Sequence, residues 1–346
     1  MKAAIFYGPV GSWPQKPMAI EDVPRPAAGT GEVLVKVAAC GLCRTDLEYL
    51  KGAGTTPKSP PIILGHEPSG IVVEVGAGVS DIKPGQRVLL TTITPCLACD
   101  YCLAGQENLC PNMVILGANR DGAFAEYISA PAKGVFPLPD GLPLEESSII
   151  SDAVATSYHA LYNRAKVSTG DVVAIYGASG GLGLICVQLA SAAGATVIGI
   201  GRKKWKLERA RELGATEVIN AEEVDQPDRV IKQMTDGGAD ILVDVTGAPL
   251  MIESAFRAAR PGGRVVVVGF SFDKIRLSVN RLMWYELNVM GSKNYNLSDM
   301  PKIIELVQKG VVNLNKLISH RFSLDKINEA YQMLDRGEML RGIVIP

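Results

Sequence analysis

Val172-Val173-Ala174-Ile175-Tyr176-Gly177-Ala178-Ser179-Gly180-Gly181-Leu182-Gly183 is the stretch that decides the fold. Five apolar residues, too few for a helix, run into a glycine-rich turn, and a helical pattern over 184–193 follows. Glycines there let the backbone come close to a pyrophosphate, which the first N–H groups of the helix can then bind. The strict G-x-G-x-x-G spacing is absent, and G-A-x-G-G-x-G stands in its place. A glycine motif alone is weak evidence. Its position between a strand and a helix makes it much stronger.

The same rhythm continues on both sides of the turn. Short apolar runs at 172–176, 196–200, 217–219, 241–245, 265–269 and 287–290 alternate with helical patterns, which predicts βαβ units and a six-stranded, doubly wound parallel sheet over 154–291. Before it, runs at 33–38, 70–75 and 87–91 are broken by Gly and Pro, as in an irregular β-rich domain over 1–153. After Gly291 come a helix-like stretch, 301–309, and a final apolar run, 343–345. About 55 residues cannot bury a separate core, so 292–346 is expected to complete the first domain. The expected class is α/β with two domains.

The 346 residues carry 47% hydrophobic content and a formal net charge of −1. That is enough apolar material for two cores, and there is no basic footprint for nucleic acid. No apolar run approaches the ~20 residues that cross a bilayer. The beginning of the sequence has no secretory pattern, so a cytoplasmic protein without a membrane partner is expected. Seven cysteines in such a compartment point to metal rather than to disulfides.

Four of them form Cys96-x2-Cys99-x2-Cys102-x7-Cys110. Four thiolates with no open position suit a closed, structural zinc site. An iron–sulfur cluster is the competing reading, because Cys110-Pro111 follows a C-x2-C-x2-C run. The last spacing is seven rather than three, and nothing downstream suggests electron transfer.

Two further motifs, Cys43-Arg44-Thr45-Asp46 and Gly65-His66-Glu67, each follow a strand-like run. Taken singly, His66 reads as a hydrogen-bonded core histidine and Cys43 as a small buried hydrophobe. Together with Cys40-Gly41-Leu42, Pro68-Ser69-Gly70, the four-cysteine loop and Gly180-Gly181-Leu182-Gly183, in this order, the chain resembles the zinc-containing medium-chain alcohol dehydrogenases over essentially its whole length.

That resemblance implies a GroES-like catalytic domain and a Rossmann domain. It implies a catalytic zinc on Cys43, but not Cys40, and on His66, with Glu67 adjacent and Asp46 orienting a ligating histidine. Where many members have a third cysteine ligand, this chain has Asp152. An oxygen ligand donates less charge than a thiolate and leaves the metal a stronger Lewis acid. The alternative is that Asp152 caps the helix after it. Thr45 matches the hydroxyl that passes the alcohol proton outward, whereas Glu48 stands where some members complete that relay with histidine. Arg44 and Arg341 match pyrophosphate-contacting arginines, Thr156 matches a nicotinamide neighbour, and Val268 joins the expected cofactor residues. A homotetramer is implied by chain length within the family.

The second strand is followed by Gly201-Arg202-Lys203-Lys204, where an NAD enzyme places a carboxylate for the ribose hydroxyls. Gly201 leaves room while Arg202 and Lys203 offer charge to a 2′-phosphate, so the expected cofactor is NADP(H). NAD stays open if these are solvated helix-start charges. Thr92, four residues before Cys96, replaces the bulky ring of aromatic-lined alcohol pockets and keeps a polyol, sugar or threonine dehydrogenase open. A zinc-free enone reductase would lack Cys43 and His66, and a non-enzymatic nucleotide binder would not need the ligand set. His159, His320 and Cys186 fit no metal motif.

Overall fold

The computed structural model describes residues 1–9, 13 and 17–346. They divide into two compact units, Met1–Asp152 with Asn296–Pro346, and Ala153–Tyr295. The second unit holds a six-stranded sheet in the order Glu217–Asn220, Thr196–Gly201, Val172–Tyr176, Ala239–Asp244, Ala259–Val267, Asn288–Gly291, all neighbours parallel. Val172–Tyr176 is central because Ala174, Ile175 and Tyr176 are fully buried, as a parallel strand covered on both faces must be. The strand order reverses beside it, so the crevice beyond its carboxyl end, where Gly177 lies, is the place where such sheets take ligands.

Each expected strand of this sheet is present. The fifth starts earlier than its apolar run suggests, at Ala259. Ala239 pairs with Ala259 and Ile241 with Arg264, so the exposed Arg260-Pro261-Gly262 insertion slips the register without ending the strand. The helix Gly181–Ala192 is mostly apolar and buried from Gly183 to Ala190, with Gln188 the polar side chain inside that stretch. Helix and turn touch at Gly183, where an added Cβ would overlap the Gly177 carbonyl.

The first unit is β-rich. Its main sheet runs Val135–Pro137, Arg87–Leu90, Pro68–Val75, Glu32–Gly41, Arg341–Ile345, Ile318–Ser323, with Tyr127–Pro131 also paired to Glu32–Gly41. The late strand Arg341–Ile345 lies antiparallel to Glu32–Gly41 and sets Val344 opposite Cys40 and Ile343 opposite Gly41. Residues far apart in sequence therefore meet at the end of Glu32–Gly41, just before Cys43. A core of Val35, Leu47, Leu64, Phe124, Ile327 and Tyr331, among others, underlies this junction. Among the described residues no helix is long and apolar enough to cross a membrane.

Gly183→Ala gains about 1 kcal/mol of helix propensity but forces an overlap that costs about 1–3 kcal/mol. A net fall in melting temperature is expected. A rise would contradict the close helix–turn contact.

Candidate functional site

Cys43 stands in an extended conformation at the head of the helix Arg44–Leu50, which follows Glu32–Gly41 directly. Gly65 has φ +91° and turns the chain after Ile62–Ile63. A side chain there would meet Phe124 at 2.9 Å and Cys40 Sγ at 3.0 Å, so only glycine lets His66 fold inward. Thr92 is buried, and its hydroxyl lies 2.9 Å from the His66 carbonyl and 3.3 Å from that of Ser151. It thus ties the His66 loop to the residue before Asp152. The polarity read at Thr92 as a feature of a substrate pocket serves this internal brace.

Ligand atoms of Cys43, His66, Glu67 and Asp152 lie within 4.8 Å of one another. Asp152 Oδ2 is 3.8 Å from both Cys43 Sγ and His66 Nε2. A tetrahedral zinc with bonds of about 2.0–2.3 Å spaces its ligand atoms by roughly 3.3–3.8 Å, so these side chains need little movement to fit one. Asp152 faces the cluster. Cys40 is buried outside it, with its thiol directed at the Gly41 carbonyl 3.7 Å away.

His66 turns Nδ1 toward Asp46 Oδ1 at 3.2 Å, which leaves Nε2 on the cluster side. Burial opposes the imidazolium, yet the charges of Asp46 and Cys43 prevail and hold its pKa well above the ordinary value. Burial pushes the Cys43 thiol up, and His66 partly offsets this.

Glu67 is fully buried, and its Oε2 pairs with Nη2 of Arg341, the first residue of the late strand. Glu67 Oε1 and Arg341 Nε are both buried without a hydrogen-bond partner. Burial raises the Glu67 carboxyl, and the guanidinium only partly counters it. Gly41 makes this pair possible, since a Cβ there would fall inside the carboxylate. Arg341, expected on a pyrophosphate, is therefore engaged by Glu67. Arg44, expected there too, pairs with Glu48 at 3.4 Å on the surface. Thr45 is exposed, with Oγ1 3.6 Å from Cys43 Sγ.

The sulfurs of Cys96, Cys99, Cys102 and Cys110 form the second group, also within 4.8 Å of one another. Cys99 and Cys102 are 3.5 Å apart, and Cys96 and Cys102 3.9 Å, the same tetrahedral spacing. Backbone N–H groups of Ala98 and Cys96 point at Cys96 Sγ and Cys110 Sγ. The Ala98 N–H helps to draw Cys96 down to about 6, whereas desolvation and then Cys99 push Cys102 up to about 12.

At the glycine turn, Gly177 has φ +91° and Gly180 is an extended N-cap without a side-chain acceptor. The N–H groups of Gly181, Leu182 and Gly183 open the helix there. Val268 donates its N–H to Asp244 O at the end of the fifth strand, and Thr156 is half-buried on the helix Ala153–Tyr158. Gly201 ends its strand, but the space it frees is filled by Ser179 and Leu207. Arg202 is exposed and Lys203 half-buried. Lys206, which the sequence reading passed over, is 6% exposed. Burial and the neighbouring Lys203 and Arg202 draw it down to about 8. Its only signal was a position one helical turn past Arg202. His159 is buried against Asn163 and His320 lies beside Ser319, and neither is a member of either cluster.

Arg341→Leu strands a buried carboxylate and is expected to lower stability by about 3 kcal/mol, read by denaturant unfolding. Adding Glu67→Gln should restore a substantial part. If the double variant is no more stable than the single, the two side chains are not an energetic pair.

Comparison with known proteins follows the same lines. Residues 29–140 match the alcohol dehydrogenase GroES-like domain, and residues 181–309 match the zinc-binding dehydrogenase domain. An alcohol dehydrogenase of Geobacillus stearothermophilus is 36% identical over 335 residues, covering 96% of each chain. D-arabitol-phosphate dehydrogenase of Enterococcus avium is 34% identical, covering 94% of this chain and 93% of its own. A zinc-binding dehydrogenase of Sinorhizobium meliloti 1021, solved bound to NADP, superposes with a TM-score of 0.91 at 32% identity, covering 100% of this chain and 99% of that one. The chain is thus a member of the zinc-containing medium-chain dehydrogenase/reductase family of oxidoreductases.

Proposed function

We propose that this oxidoreductase is a zinc-dependent alcohol dehydrogenase and carbonyl reductase, transferring hydride between a primary or secondary alcohol, or the matching aldehyde or ketone, and NADP(H). The observation that carries the reading is the 3.8 Å spacing of Asp152 Oδ2 from both Cys43 Sγ and His66 Nε2. Zinc held there supplies Lewis acidity to a substrate oxygen, and the nicotinamide supplies or accepts hydride.

In this reading Cys43, His66 and Asp152 hold the metal, and Glu67 approaches it or stays on Arg341. Asp46 fixes the His66 tautomer. Thr45 takes up or hands on the proton of the substrate hydroxyl near Cys43. Glu48, engaged by Arg44, does not extend that path as a histidine would. Cys96, Cys99, Cys102 and Cys110 hold a second, structural zinc that braces a loop with little core. Gly177, Gly180, Gly181, Leu182 and Gly183 receive the pyrophosphate, and Thr156 and Val268 neighbour the nicotinamide. Arg202 and Lys203, now joined by Lys206, favour a 2′-phosphate. A cytoplasmic homotetramer is the state we infer, from cysteines grouped for metal rather than for disulfides and from chain length in the family.

The similarity to D-arabitol-phosphate dehydrogenase favours one second reading, a polyol, sugar or threonine-type substrate. Comparing kcat/KM for simple secondary alcohols with sorbitol, threonine and glucose separates the two.

Metal analysis should give two zincs per chain, one for each cluster. Cys43→Ala should lose one of them together with activity. A protein with zinc only in the four-cysteine loop and full activity in Cys43→Ala would overturn the mechanism. Lys206 is charged below about 8 and neutral above it. KM for NADPH should therefore rise several-fold from pH 7 to 9, while KM for NADH changes less. Equal pH profiles, or a clear preference for NADH at pH 7, would count against the phosphate site.

A further inference from the structure

Asp46 is completely buried, and a carboxylate in that position must be satisfied on both oxygens. Oδ1 faces His66 Nδ1 at 3.2 Å and the Gly65 N–H at 3.4 Å. Oδ2 accepts a hydrogen bond of 2.9 Å from the Tyr331 hydroxyl, donated from the helix Ile327–Asp335. The Tyr331 ring is fully buried and meets Phe124 edge to face at 6.0 Å. Phe124 is also the ring against which Gly65 packs without a side chain. One aromatic pair thus touches both the residue before His66 and the anion that orients His66. Burial and the Asp46 charge keep the phenol protonated, so it acts as a donor.

We propose that Tyr331 is a positioning residue for the metal ligand His66. Its hydroxyl locks the Asp46 carboxylate so that His66 Nε2 stays aimed at Cys43 and Asp152. This rests on the reading of Cys43, His66 and Asp152 as zinc ligands. Without the phenol, Oδ2 is a buried acceptor with one donor fewer. The carboxylate then turns to find another donor, and the imidazole loses its fixed orientation. A side chain that served packing alone would lower stability when altered but leave the metal's hold unchanged.

The test uses Tyr331→Phe, which keeps the ring and removes only the oxygen. Zinc release from the full-length zinc-loaded enzyme is followed with a chromophoric chelator, and the visible spectrum is recorded after cobalt(II) substitution. One zinc should leave roughly tenfold faster, in the range for outer partners of metal ligands, while release from the four-cysteine loop is unchanged. The cobalt(II) bands should shift. Asp46→Asn should loosen the same zinc, and Tyr331→Phe added to it should bring little further change. Wild-type release and spectrum in Tyr331→Phe, with only a lower melting temperature, would overturn the proposal. Independent, multiplying effects of the two substitutions would do so as well. Cys43→Ala separates this from failure of the underlying reading: if it keeps both zincs, the ligand assignment itself is wrong.

Discussion

A thiol, an imidazole and two carboxylates with ligand atoms inside 4.8 Å crowd acceptor atoms around one largely buried point, where two carboxylates repel each other unless something holds them. Left to itself such a cluster would splay apart. The first unit holds it with fixed partners: Asp46 for His66, Arg341 for Glu67, and the Thr92 hydroxyl between the His66 and Ser151 carbonyls. Gly41 and Gly65 then supply the clearance that these contacts require. The surrounding sheet matters mainly because it brings Gly41 and Ile343 into register.

The two cysteine-containing sites reach similar spacing by different means. The four-cysteine loop is local, spanning residues 96–110, and backbone N–H groups from the same loop brace its sulfurs. The Cys43 cluster draws Asp152 from 109 residues away and braces from farther still. A local site can organise around its ion, whereas a dispersed one has to be shaped by the fold.

This difference also explains what could be read in the sequence. The glycine turn, its six strands and the four-cysteine spacing are short-range patterns, legible because period and spacing report local geometry. Cys43, His66 and Asp152 were legible only through resemblance to a family, since no pattern links them. Tyr331 was invisible because its partner lies 285 residues away and a buried tyrosine on an amphipathic helix looks like core. Gly201 was misjudged in its reason: clearance before a basic pair suggests space for a phosphate, but Ser179, from the glycine turn itself, fills that space. Lys206 was hidden because helix-start charges are usually solvated, and only the fold shows it buried.

The late arrival of Tyr331 and Arg341 has a consequence for biosynthesis. Asp46 and Glu67 are made 285 and 274 residues before these partners, with the whole Ala153–Tyr295 unit between them. At about 5–20 residues per second, translation leaves a gap of roughly 14–57 s. For that time Glu67 is without Arg341 and the strand that joins Glu32–Gly41 to Ile318–Ser323 is not yet made, while all four cysteines of the loop are already in the chain. The partners that fix the Cys43 cluster are therefore made only after the intervening unit, whereas every residue of the four-cysteine loop precedes it.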